Sequence, residues 1–182
     1  MNARQKTLDL VIDALSDGVT GFNAQHAVIR DTYEVPKCEI DFGKYSPNLI
    51  LGSIDPSDAD LAQITAWPAL ILATEECTLL NDKKFAEFSG EVVVLVDGYV
   101  RIRATDDPDR PPAEVIDLSK NYEKHVNAFE DAIYRSLRAR RSIFQAGNCN
   151  WVGFQSSRSQ VAVIGDGYTQ RTSIVLGFRV VI

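Results

Sequence analysis

The chain has 182 residues, 45% hydrophobic and 24% charged, with 19 basic against 25 acidic side chains and a net charge of −6. That length fits one domain burying a single core, and the apolar fraction is too high for a disordered tail. The longest apolar runs, such as Val92–Val96 and Val161–Ile164, fall far short of the ~20 residues a membrane-spanning helix needs, and the opening Met1-Asn-Ala-Arg-Gln-Lys-Thr lacks an apolar signal core, so a soluble cytosolic protein is expected.

Leu8, Val11, Ile12 and Leu15 recur at helical spacing and predict a first helix over residues 5–16. Gly18 and Gly21 break it, and Phe22, His26 and Ile29 continue as a second helical piece that Pro36 stops. Residues 34–60 hold Pro36, Pro47 and Pro56 with Gly43 and Gly52, the most loop-like stretch of the chain, with room for a short strand at 38–42. Ser57 and Asp60 imitate a capping box ahead of a short helix through Leu61 and Ile64, ended by Trp67-Pro68.

Beyond Pro68 the pattern turns to strand. Residues 69–74 read as a buried strand and 88–96 as a second. Asp97-Gly98 is a two-residue hairpin signal leading into a third strand at 99–103, the competing reading being one long bulged strand through Gly98. Three Asp and three Pro make 105–113 an exposed connector. Tyr122, Val126, Phe129, Ile133 and Leu137 then define the clearest helix, about residues 120–142, capped by Asp117 or Ser119. The C-terminal part reads as strands at 151–156, 160–164 and 171–182, with Gly165-Asp166-Gly167 as a turn. In the last of these, Ile174, Leu176, Phe178, Val180 and Ile182 line one apolar face. The expected fold class is α+β: a mixed, mainly antiparallel sheet flanked by the N-terminal helix and the long helix, in a single domain spanning 1–182 with long connectors at about 34–60 and 105–117.

The residues that carry chemistry are scarce. Cys38, Cys77 and Cys149 lie 39 and 72 residues apart, without the close pairs of metal or redox sites, and read as free thiols. His26 and His125 are isolated in sequence from each other and from every Cys, so no metal ligand set is expected. Asp106, Asp107 and Asp109 lack the alternating oxygen ligands and closing Glu of a calcium loop. No Gly-x-Ser-x-Gly elbow or Gly-rich phosphate loop occurs. Glu75-Glu76, Asp106-Asp107 and Glu130-Asp131 are adjacent pairs, which a strand sends to opposite faces and a helix separates by ~100°. Trp67, Trp151, Tyr99 and Phe178 read as core or half-buried sheet residues. No catalytic residue, cofactor or metal is expected.

Charge is uneven along the chain. Residues 1–91 carry 7 basic and 15 acidic side chains, net −8, whereas residues 92–182 carry 12 and 10, net +2. Such polarity favours head-to-tail contact between copies. The one basic cluster, Arg135, Arg138, Arg140 and Arg141, sits near a helix end, where it also complements the helix dipole, and without further basic runs a dedicated nucleic-acid reader is not expected.

The order of these elements resembles the tail terminator (tail completion, neck) proteins of long-tailed bacteriophages: an amphipathic helix, a Pro-containing connector, an apolar strand after Trp67-Pro68-Ala69, a strand or hairpin through 91–103, a long helix and antiparallel strands ending in Phe178-Arg-Val-Val-Ile182. The resemblance covers about Leu8 to Ile182. It implies a virion protein assembled in the host cytoplasm, a non-enzymatic hexameric ring that caps the tail tube and joins it to the head connector. Its partners would be further copies of itself, the tail tube protein and the head-connector protein, with DNA at most passing through the lumen and no membrane. Candidate subunit-interface residues are Arg101 and Arg103 on the middle strand and Arg135, Arg138 and Arg141 on the long helix, each of which also reads as a plain surface charge. The alternatives are another head-completion or connector adaptor, and a small α/β ligand-binding domain or enzyme.

Overall fold

Small residues let the first helix lie close to its neighbours. In α1 (Ala3–Ser16) the fully buried positions are Ala3, Thr7, Val11, Ala14 and Leu15, spaced by four, four, three and one. Leu8 and Ile12, part of the expected stripe, are half-buried at its flank; the stripe is turned because Ala3, Thr7 and Ala14 let α1 approach the sheet closely. The computed structural model describes residues 3–35, 38–52, 68–79, 89–103, 112–164 and 167–181, of which 75–79, 89, 100–103, 112–122, 154–164 and 167–173 are described by their backbone alone.

Asp17 turns the chain from α1 into α2 (Phe22–Tyr33). Its carboxylate accepts hydrogen bonds from the Val19 and Thr20 N–H groups, at 3.1 and 2.7 Å, and from the Thr20 hydroxyl at 2.8 Å. These bonds, those of Thr20 foremost, hold its carboxyl below the usual carboxylate range. Helix α2 ends on Glu34, whose N–H bonds the Arg30 carbonyl and whose left-handed backbone (φ 56°) turns the Val35 N–H back onto the same carbonyl at 3.0 Å.

Residues 38–42 are not the short strand the sequence allows. Their backbone is held by side-chain amides: Asn23 donates to the Ile40 carbonyl at 2.7 Å and accepts from the Ile40 N–H at 2.8 Å. Buried Asn48 accepts from the Asp41 N–H at 2.9 Å and donates to the Glu39 carbonyl at 2.9 Å. Two amides thus do the work of a neighbouring strand and bury Ile40. The strand instead forms seven residues later, as β1 (Leu49–Leu51), within the expected connector.

The sheet has five strands in the order β1-β2-β3-β5-β4, with β2 at Ala69–Leu79, β3 at Ser89–Arg103, β4 at Cys149–Ile164 and β5 at Gly167–Val181. Only β1 runs parallel to its neighbour; β2–β3, β3–β5 and β5–β4 are antiparallel. The fold class is α+β, as the sequence indicates. Asp97-Gly98 is not a hairpin turn: β3 passes through both residues, its pairing with β5 unbroken from Ser89 to Arg103. A Cβ at position 98 would run into the Phe129 ring, coming within 2.6 Å of Cδ1, so this glycine makes room for an aromatic ring and leaves the chain direction unchanged. The strands expected at 151–156 and 160–164 are one strand, β4, bulged against β5 after Trp151 and after Phe154, with Gly153 at φ 142°.

The long helix, α3 (Pro112–Ala139), starts eight residues before the expected position. Proline is at home in a helix's first turn, where its missing N–H has no intrahelical partner. Residues 112–117, expected in a connector, are therefore helical. The helix breaks at Arg140 (φ −102°, ψ 19°) before a short α4 (Arg141–Ala146), so the single helix expected to reach 142 is two.

Helices α1, α2, α3 and α4 cover one face of the sheet. Val11, Leu15, Phe22, Ile29, Phe129, Ile133, Leu137 and Phe144 meet Leu70, Leu72, Val92, Val94, Val96, Ile174, Leu176, Phe178 and Val180 in one core. The alternation expected of the last strand holds on its apolar face, where Ile174, Leu176, Phe178 and Val180 are fully buried. On the other face Arg179 and Val181 are exposed, Val175 is half-buried and Gly177 is buried, and Ile182 lies outside the described residues. The short helix expected through Leu61 and Ile64, Trp67 and the Gly165-Asp166 turn fall outside the described residues.

Candidate subunit interface

The five candidate arginines fall into two groups. Arg135 and Arg138 lie in the last turns of α3 and Arg141 opens α4. From α4 the chain enters β4 at Cys149, which pairs with Val180, itself the partner of Gly90 near the start of β3. Arg101 and Arg103 stand at the other end of β3, paired by their backbones with Thr169 and Gly167. At about 3.4 Å per residue, the eleven and thirteen strand residues separating them from Gly90 span roughly 35–45 Å along β3. The two groups belong to opposite ends of the sheet and do not make one patch. The side chains of Arg101 and Arg103 lie outside the described residues.

Arg135 is an exposed partner of Asp131, one turn earlier on α3, with N–O distances of 2.9 and 3.1 Å. Such a pair contributes only a few tenths of a kcal/mol to a helix. Arg138 and Arg141 are exposed, with no ion-pair partner among the described residues. The fourth arginine of the cluster, Arg140, has a different place: its guanidinium lies 3.5 Å from Asp17, tying the α3–α4 break to the α1–α2 turn. Sequence spacing does not show that link, because 123 residues separate the two.

Two further features were not evident from the sequence. An open groove of about 410 Å³ runs between α2 and α3, lined by Tyr33, Asn127, Glu130, Asp131 and Tyr134. Glu130 and Asp131 both line it although neighbours on a helix point ~100° apart, and Tyr134 meets Trp151 of β4 edge-on at 5.7 Å. The second is that the chain's two histidines lie one on each of the same two helices. His26 on α2 is 1% exposed and feels the charge of His125 on α3.

The described thiols are buried, and burial pushes both Cys38 and Cys149 up, which leaves them protonated and poor nucleophiles. Among the described residues no three His, Cys, Asp or Glu side chains come together as a metal site, and no helix is long and apolar enough to cross a membrane. No protein-family model and no curated protein matches the chain.

Proposed function

We propose that the protein is a structural virion subunit, a ring-forming tail terminator at the head–tail junction of a tailed phage. The observation that carries this reading is how the chain's charge polarity maps onto the sheet. The division between the acidic and the basic half falls within β3, the central strand. The β1–β2 side of the sheet comes from the net −8 half and the β5–β4 side from the net +2 half. The strands follow the same division: β1 and β2 contain Glu75 and Glu76 and no basic residue, while β4 and β5 contain Arg158, Arg171 and Arg179 and no acidic one. Opposite charge on the two sides of one subunit favours heterologous contacts, which close into a ring when the rotation per subunit permits. Each flank also ends in a strand with pairing to offer: among the described residues β4 pairs only with β5, and β1 covers three residues of β2.

Light scattering after size exclusion, with negative-stain imaging, tests the reading. Rings of a fixed number of copies that bind the ends of tail tubes are expected, and a strict monomer that ignores tail tubes would overturn it. A second reading, a ligand-binding domain, rests on the α2–α3 groove with its two tyrosines and two carboxylates. A thermal-shift screen separates the two, since a small molecule that raises the melting temperature strongly favours the groove.

A further inference from the structure

Helices α2 and α3 meet in a seam that is apolar at its centre. Phe22 stacks at 4.6 Å on Phe129 and lies 5.8 Å from the His26 ring. His26 is almost completely buried, and its Nδ1 has no hydrogen-bond partner among the described residues. A neutral imidazole tolerates that place; an imidazolium there would be a buried charge with no carboxylate among the described residues acting on it. The charges acting on His26 are themselves cationic or able to become so: His125 across the seam on α3 and Arg30 one turn on in α2. Helix α1, which also packs on α2, brings no carboxylate to bear on it among the described residues. Among the described residues one ion pair bridges the seam, Lys124 to Glu34 at 2.8 Å, and it is at the exposed rim.

We infer that the α2–α3 seam is an acid-sensitive latch, closed while His26 and His125 are neutral and opened when a proton enters, so that α2 lifts from α3 while the sheet stays folded. Helix α2 packs chiefly on α3, and Gly21 before it has no side chain to cap the helix; opening also withdraws Phe22 and Ile29 from the core and breaks the two hydrogen bonds between Asn23 and Ile40.

Burial is the main cause lowering both imidazoles, with the charge of His125 adding to it at His26, which falls from 6.5 to about 4. The open form, with an ordinary imidazole, therefore binds the proton more tightly. Closure is strongest above about pH 6.5 and is lost progressively as the pH falls towards 4. From His26 alone, the open form should be about twentyfold more populated at pH 5 than at pH 7.

Native-state hydrogen exchange, corrected for intrinsic rates and run at several urea concentrations below the unfolding transition, measures this. The α2 amides are expected to exchange through an opening with a smaller urea dependence than global unfolding and to lose about twentyfold protection from pH 7 to pH 5, while β3 and β5 exchange only through the full urea-dependent unfolding. If α2 and β5 share one urea-dependent opening at both pH values, the latch is refuted. His26→Gln with His125→Gln should flatten the pH dependence of α2, and an unchanged dependence would equally refute it. Should that double variant fail to fold, imidazole NMR titration of the unaltered protein decides: a His26 value near 4 with His125 below 6.5 supports the latch, and ordinary values for both overturn it.

Discussion

A methyl group at position 98 would stand against the ring of Phe129. In an ordinary strand, alanine is favoured over glycine by about 0.5–1 kcal/mol because it restricts the unfolded chain. Here the sign should reverse. Gly98→Ala is expected to destabilise the protein by about 1–3 kcal/mol, the usual cost of overpacking, read as a lower urea midpoint at constant slope. Phe129→Leu supplies the control, since removing the ring removes the clash. In that background Gly98→Ala should cost less than about 1 kcal/mol, and a full cost there would show that β3 itself, not the ring, demands glycine.

At the scale of an element, the segment 38–48 is ordered with almost no regular structure, because Asn23 and Asn48 supply its hydrogen bonds. Asn48→Ala leaves the Asp41 N–H and the Glu39 carbonyl without their partner, and each such loss costs about 1–3 kcal/mol when the group stays away from water. Thermal unfolding should show a clear fall in melting temperature, and amide exchange should quicken around Ile40 and β1 ahead of the rest of the sheet. Asn48→Asp tests the geometry: it keeps the acceptor for Asp41 but sets a buried carboxylate oxygen against the Glu39 carbonyl, so at neutral pH a loss at least as large as that of alanine is expected. These amide contacts also mark where the sequence stops being readable. Periodicity alone locates α1, α2, the body of α3 and the buried face of β5, since Ile174, Leu176, Phe178 and Val180 encode their own environment. It fails where a residue's role is set by something distant in the chain. Asp97-Gly98 carries a turn signal, yet Phe129 makes it strand, and Leu49–Leu51 is too short to show a period until β2 lies beside it. The candidate interface follows the same pattern. Arg135, Arg138 and Arg141 are visible as a cluster because a helix end gathers them, whereas their separation from Arg101 and Arg103 depends on strand register.

For the whole molecule, the proposed ring makes the end of α3 a place where charge should matter between subunits and little within one. Arg138 and Arg141 are exposed and unengaged among the described residues, so Arg138→Glu with Arg141→Glu should leave the subunit's unfolding midpoint within about 0.5 kcal/mol of its original stability. If this end faces the acidic flank of a neighbouring copy, the same reversal turns attraction into repulsion and weakens each contact by about tenfold or more. Association of the unaltered protein should then fall with rising salt, because exposed charges are screened over about 8–10 Å at physiological ionic strength, while the reversed variant should lose that sensitivity. Sedimentation velocity at low and high salt reads both effects at once. A variant that assembles like the unaltered protein at every salt concentration would make these two arginines ordinary surface charges, and would leave the edge of β4, which among the described residues pairs only with β5, as the contact.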